Sequence, residues 1–354
     1  MLGEKPDFYD LDFPALEAML TVLGERRGRA GEVWKTLYRT WPTRFDQVDA
    51  LSPETCAGLE AQVGLYVPPV LTSQESPDGT TRKDLLELAD GERIEVVLLR
   101  YRERRSACIS TQVGCAMGCH FCATGQSGFV RQLSGGEIIA QVLHLQRDLA
   151  TAGERLTNIV LMGMGEPLLN YYQTLGAIRR LTDPQGMGFV QRRITISTVG
   201  IVPGIDLLAE EGLLVNLAVS LHAATDALRS QLVPINERYP LDDLFAALRR
   251  YTARTQRRIM IEWTLIDGVN DSPEQAEALV VRLAGIPAHV NLILLNPTPD
   301  FPAKPATPEA VKAFTDVLDW ASIPHTVRQR RGGGIAAGCG QLRRQTPPSF
   351  SHLR

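Results

Sequence analysis

No stretch of this 354-residue chain comes near the roughly 18–20 uninterrupted apolar residues that cross a bilayer, so no membrane span is expected. The start, MLGEKPDFYDLDF, is acidic and lacks the basic segment and apolar run of a secretory leader, which points to the cytoplasm. Cysteine is scarce. Six are too few for a disulfide scaffold, and three fall within eight positions, a concentration that reads as metal ligation in a reducing compartment. A basic excess is missing as well: the formal net charge is −3, which excludes a binder driven by bulk phosphate attraction and leaves only local RNA surfaces. Three arginine clusters are candidates, namely Arg26, Arg27 and Arg29; Arg100, Arg102, Arg104 and Arg105; and Arg328, Arg330, Arg331, Arg343 and Arg344. Taken singly, each reads first as a solvated charged face.

What is present is an ordinary globular composition, 44% hydrophobic and 22% charged, enough for one large domain with smaller attachments. Leu16, Met19, Leu20, Val22 and Leu23, then Val33, Trp34, Leu37 and Tyr38, recur at helical spacing and predict a small helical module over 1–68. Asp78-Gly79 and Asp90-Gly91 punctuate β-favouring segments, predicting an antiparallel meander over 69–104 that joins the module to the core. From 105 to 345, apolar runs such as NIVLMGMGE, RRITISTVG, VNLAVSLHA and HVNLILLNP alternate with helices predicted at 134–149, 203–212, 241–253, 272–284 and 307–321. That α/β alternation predicts a parallel sheet curled into an open, partial (β/α)6 barrel. Reactive groups in such barrels gather at the carboxyl ends of the strands. There the sequence has Gly165-Glu166-Pro167, Ser197-Thr198, Ser220-Leu221-His222 and Asn296-Pro297.

Cys115, Cys119 and Cys122 form a CxxxCxxC motif after a predicted strand, so three thiolates converge on one loop. Three cysteines on a four-iron cubane leave one iron open. An open iron chelates S-adenosylmethionine (SAM), passes one electron to its sulfonium and generates a 5′-deoxyadenosyl radical. The competing reading is a structural zinc site that enlists His120, although such sites favour cysteine pairs separated by a longer loop. Phe121 offers the cluster an apolar wall, and Cys56 reads as a small core residue.

The flanking motifs narrow the assignment. DGT at 78–80, IE at 94–95, CISTQVGCAMGCHFCATGQSGFVR at 108–131, GMGEPL at 163–168, STVG at 197–200, SLHA at 220–223, LVPIN at 232–236, GVNDS at 268–272 and AGCGQL at 337–342 together resemble the RlmN/Cfr family of radical SAM RNA methyltransferases. The resemblance implies that Gly165, Glu166, Ser197, Ser220, Leu221, His222 and Asn296 contact SAM. It implies that Cys115, Cys119 and Cys122 hold a [4Fe-4S] cluster and that two SAM molecules are consumed per turnover. It further implies that Cys339 is methylated first, that a radical formed on this methyl group adds to adenine C2, and that Cys108 releases the product through a Cys108–Cys339 disulfide. Glu95 matches the family's base for the C2 proton. Adenine C2 is electron-poor and cannot attack a sulfonium directly, which is why a carbon radical is needed.

The implied substrates are 23S rRNA, in the peptidyl-transferase region, and tRNA, beside the anticodon; a flavodoxin-like one-electron donor and a monomeric state are expected with them. The sequence departs from the family pattern at Gly334 and at Ala337-Gly338, just before Cys339. The arginines at 100–105 and 328–344 bracket Cys108 and Cys339 and are expected to form a phosphate-contacting rim, with further RNA contacts from the helical module. A target adenine has to leave its stack to enter a barrel. The rivals are a Cfr-type adenine C8-methyltransferase, a glycyl-radical activase and a zinc-stabilised RNA-binding protein.

Overall fold

The computed structural model describes residues 5–328, 335 and 338–346. Arg330, Arg331, Gly334 and Ala337 lie outside the described residues. Three helices open the chain: α1 (Phe13–Val22), capped by the Asp12 carboxylate; α2 (Arg29–Arg39); and α3 (Pro53–Gln62), capped by the Ser52 hydroxyl. Both caps satisfy an N–H that the first helical turn leaves without a partner. The core of this module is aromatic, with Phe8 edge-on to Tyr9 and Phe45, and Trp34 against Tyr38. Within its arginine cluster Arg26 pairs with Glu32 and Arg29 with Glu25. The Trp34 indole donates to Asp183, and Gly136 N–H donates to Asp10, which ties the module to the larger body behind it.

That body is one ten-stranded sheet. It begins with the antiparallel strands β1 (Val70–Glu75), β2 (Thr81–Glu87) and β3 (Arg93–Arg100), and β3 pairs with β4 (Arg105–Cys108). The meander is therefore continuous with the main sheet. Beyond β4 the order is β7 (Asn158–Leu161), β8 (Ile194–Thr198), β9 (Asn216–Ser220), β10 (Ile259–Leu265), β11 (Ala288–Leu294) and β12 (His325–Val327), all parallel. A separate two-stranded ribbon, β5 (Gln112–Gly114) with β6 (Phe129–Gln132), stands beside it.

Helices cover the outside: α5 (Gly135–Thr151), α6 (Tyr171–Thr182), α7 (Val202–Glu210), α8 (Asp226–Leu232), α9 (Leu241–Thr255), α10 (Pro273–Leu283) and α11 (Pro308–Trp320), after the short α4 (Ala123–Gln126). Five match the intervals read from periodicity, while α6 and α8 fill stretches where no helix was expected. Burial of the strands on both faces matches their near-continuous apolar sequences; β8 is buried along its whole length, and Trp263 of β10 packs against Phe314 of α11. Complete burial of one such large side chain contributes about 1.5–3 kcal/mol.

The register of the antiparallel part decides what stands beside β4. Cys108 pairs with Val97, Val97 with Lys83, and Glu95 with Leu85. Directly paired residues share a face and side chains alternate along each strand, so Lys83, Glu95 and Cys108 all point to one side. Asp84, on the opposite face, receives a hydrogen bond across 2.8 Å from His144 of α5.

Candidate active site

The cysteine loop is pinned at its base by the β5–β6 ribbon, and Cys115 N–H donates to Gly128 across it. Between those ends Cys122 N–H donates to Cys119, and His120 N–H to Leu232 of α8. Burial pushes the Cys115 thiol up to about 12, drives Cys119 well above its ordinary value and raises Cys122, with neighbouring sulfurs reinforcing each shift. Such thiols ionise only when a cationic centre takes the place of their protons. His120 is exposed, and among the described residues no three metal-binding side chains close around a single ion. The CxxxCxxC spacing in sequence disfavours structural zinc, whose cysteine pairs are separated by a longer loop, and suits a cubane, in which each thiolate ligates a different iron.

A cavity of about 340 Å³ opens at the carboxyl ends of β7 to β11. Cys119, Cys122, Gly165, Glu166, Ser197, Ser220, His222, Asn296 and Cys339 all line it. Leu221 does not; it is fully buried, and its backbone N–H donates to Glu262. Gly165 adopts a φ of 103°, and a Cβ there would sit 2.6 Å from the Gln112 side chain, so only glycine permits this turn to press against β5.

Glu166 is buried and pushed up to about 7 by desolvation. Its oxygens accept the N–H groups of Val199 and Leu168 at 2.8 and 3.0 Å, which orients the carboxylate at the cavity wall. His222 Nδ1 accepts the Thr264 N–H at 3.0 Å, leaving the proton on Nε2. Burial and the Arg229 charge hold this imidazole down to about 3, so it stays neutral. The His222 ring meets Phe121 edge to face, as an apolar wall beside the cysteines requires. The GVNDS motif supports this geometry from behind: Asn270 donates to the His222 and Thr264 carbonyls, both at 2.7 Å.

Cys339 and Cys108 come together, both as free thiols. The Cys339 thiol donates to the Met162 carbonyl at 3.1 Å and lies in hydrogen-bonding contact with Cys108. That contact lowers Cys108 and raises Cys339, while the nearby Lys83 ammonium favours a thiolate at either sulfur. Glu95 is buried and does not line the cavity; it binds Lys83 and the segment carrying Cys339.

The expected arginine rim is only half present. Arg105 starts β4 and Cys108 ends it, so the 100–105 cluster lies at the amino ends of the strands, where Arg100 binds Glu75 and Arg105 binds Glu154. A strand covers about 3.3 Å per residue, so closeness in sequence along it becomes separation across the sheet. Arg343 and Arg344, by contrast, sit beside Cys339 on α12 (Gln341–Gln345); Arg344 contacts Gln126 and Asp300.

Sequence reasoning missed three charged residues. Lys83 is fully buried on the face of β2 that also carries Thr81 and Leu85. Glu262 lines the cavity with one oxygen bound to Asn291 and the other without a partner. Arg229, fully buried, donates to the carbonyls of Leu221 and Val199 and to Asn236, and its charge reaches Cys119.

Residues 109–280 match the family model of the Radical SAM superfamily. A solved radical SAM methyltransferase from Sphaerobacter thermophilus has the same fold, with a TM-score of 0.92 and 46% identity over 95% of this chain and 98% of that one. Fold and cysteine loop thus define a radical SAM enzyme, whose cofactors are a [4Fe-4S] cluster and SAM.

"Dual-specificity RNA methyltransferase RlmN 1" of Myxococcus xanthus is 51% identical, with 95% of this chain and 94% of that protein covered. "Dual-specificity RNA methyltransferase RlmN" of Syntrophobacter fumaroxidans is 46% identical, with 94% and 96% covered. The chain belongs to the RlmN family of radical SAM methyltransferases. No helix among the described residues is long and apolar enough to cross a membrane.

Proposed function

We propose that this enzyme methylates C2 of adenosine in 23S rRNA, at the peptidyl-transferase region, and in tRNA, next to the anticodon, with Cys339 as methyl carrier. The observation that carries the reading is the contact of Cys339 with Cys108 at a cavity that also exposes Cys119 and Cys122. The names of the relatives supply RNA as the substrate class. Held by Cys115, Cys119 and Cys122, the cluster supplies an open iron and the electron that cleaves SAM. Gly165, Glu166, Ser197, Ser220, His222 and Asn296 line the space assigned to SAM, with Glu166 facing its ammonium; Leu221 contributes through the backbone.

Cys339 first gives up its proton and takes the methyl group of one SAM, releasing S-adenosylhomocysteine. Loss of a hydrogen atom from that S-methyl group, with a second SAM ending as methionine and 5′-deoxyadenosine, leaves a carbon radical on the Cys339 side chain that adds to adenine C2. Glu95 accepts the C2 proton. The Cys108 thiolate attacks the Cys339 sulfur and breaks its bond to the methylene carbon, which takes up a proton to become the new methyl group, and the two sulfurs close a disulfide that cellular thiols reduce; the electron used in SAM cleavage leaves the radical adduct at this step and would return to the cluster. We further assign the enzyme to the cytoplasm as a monomer served by a flavodoxin-like donor, with the helical module adding RNA contacts.

Anaerobic incubation with SAM, a reductant and separate rRNA and tRNA fragments, followed by nucleoside mass spectrometry, tests the reading. The expected product is 2-methyladenosine from both RNAs. Formation of 8-methyladenosine assigns a Cfr-type enzyme instead, and unmodified RNA overturns the proposal.

A further inference from the structure

We propose that the buried Lys83–Glu95 pair is the dock for the Cys339 segment, and that Lys83 is a positioning residue for the methyl carrier. The proposal rests on the reading of Cys339 as carrier. Lys83 Nζ donates to Glu95 Oε2 at 2.9 Å and to the Gly338 carbonyl at 2.6 Å. Glu95 accepts the Gly340 N–H on Oε2 and the Arg343 N–H on Oε1, both at 2.8 Å. The residues on either side of Cys339 are thereby held, one through its carbonyl and the other through its N–H.

Gly340 is the N-cap of α12 and Arg343 its third residue. Glu95 therefore satisfies two of the N–H groups that a helix start leaves without partners, a task usually done by a side chain of the helix's own segment. Taking two opposite charges out of water is costly unless their remaining hydrogen-bonding capacity is used. Lys83 is fully buried and Glu95 nearly so, and the segment around Cys339 supplies one acceptor to the first and two donors to the second. With that segment withdrawn, the pair would lose three hydrogen bonds. The pair is built to receive it.

Gly340 closes the dock from the other side. Its φ is 81°, and a Cβ there would lie 2.5 Å from Thr124 Oγ1 and 2.7 Å from Thr124 N, on the short helix directly after Cys122. One dock thus sets Cys339 against Cys108, which shares a sheet face with Lys83 and Glu95, and against the cluster loop. Because the carboxylate that caps α12 is also the one assigned to take the C2 proton, docking and proton acceptance are successive tasks of Glu95.

The test uses the anaerobic holoenzyme. Hydrogen–deuterium exchange on the unaltered protein is expected to show protection over residues 338–346. Lys83→Met and Gly340→Ala are each expected to speed that exchange and to slow SAM-dependent S-methylation of Cys339, read by peptide mass spectrometry, by about tenfold or more. Cluster absorbance is expected to be unchanged in both variants, and Lys83→Arg to recover part of the S-methylation rate. An unprotected 338–346 segment in the unaltered enzyme overturns the proposal, as does unchanged S-methylation in Lys83→Met. If Lys83→Met fails to fold, Gly340→Ala and the unaltered exchange pattern decide. If the segment docks and loosens as described but Cys339 never gains a methyl group in the unaltered enzyme, the dock stands and the carrier reading falls.

Discussion

Cys115, Cys119 and Cys122 reach one another along a single loop, whereas Cys108 and Cys339 come from the first strand of the parallel barrel and the far end of the described chain. The two groups also differ in charge environment. In the loop, burial first and neighbouring sulfurs second, Cys339 in the case of Cys122, raise all three thiols, so they depend on a metal centre for ionisation. In the pair, a shared hydrogen bond and the Lys83 ammonium bring Cys108 down without any metal. That difference suits the proposed division of roles, ligands in the loop and attack on sulfur and carbon in the pair.

The comparison breaks most completely at the loop. Cys119→Ser is expected to abolish the visible absorbance of the cluster and all SAM-dependent chemistry, measured by absorbance and by 5′-deoxyadenosine release. Cys339→Ala is expected to keep the cluster absorbance while lowering RNA methylation about 10³-fold or more, the scale of losing a group that bonds to the reacting carbon. Retained turnover in that variant would refute the carrier scheme. Cys108→Ala separates the pair itself: Cys339 is still methylated, but RNA stays attached to it, visible as a slow-migrating protein–RNA band that ribonuclease collapses.

Smaller effects come from side chains that touch neither thiol group. Arg105→Ala removes the ion pair with Glu154 at the amino ends of the strands and is expected to leave KM for RNA unchanged, with at most about 1 kcal/mol of stability lost. Smallest for the chemistry is a pH effect on the stability of the helical module. Burial pushes Asp7 up to about 7, above its unfolded value, so the stability linked to its proton is present below about pH 4 and is lost as pH rises through 7. Asp7→Asn is expected to flatten that trend in urea denaturation at pH 5 and pH 8, leaving both thiol groups untouched.

Much of the site was legible because its parts end strands. Gly165, Ser197, Ser220 and Asn296 each follow or finish an apolar run, and alternation with helices brings such ends to one mouth. The arginines at 100–105 misled for the opposite reason, since adjacency to Cys108 in sequence carried no information about which end of β4 they occupy. Lys83 was missed because its meaning lies in the pairing of β2 with β3, and register is set by packing that no short window contains. Glu95 was expected as a proton acceptor, while its contacts with Gly340 and Arg343 join segments far apart in sequence.

The sequence by itself determined that three sulfurs share one loop, the basis for proposing them as cluster ligands, because CxxxCxxC needs no other segment to bring them together. It also determined the order of the barrel, because strand and helix periodicities are local. The resemblance implied that Cys339 meets Cys108, but only the tertiary structure decided that Lys83 and Glu95 hold it there. Those contacts depend on the register of an antiparallel edge and on the return of the chain's far end to the barrel mouth.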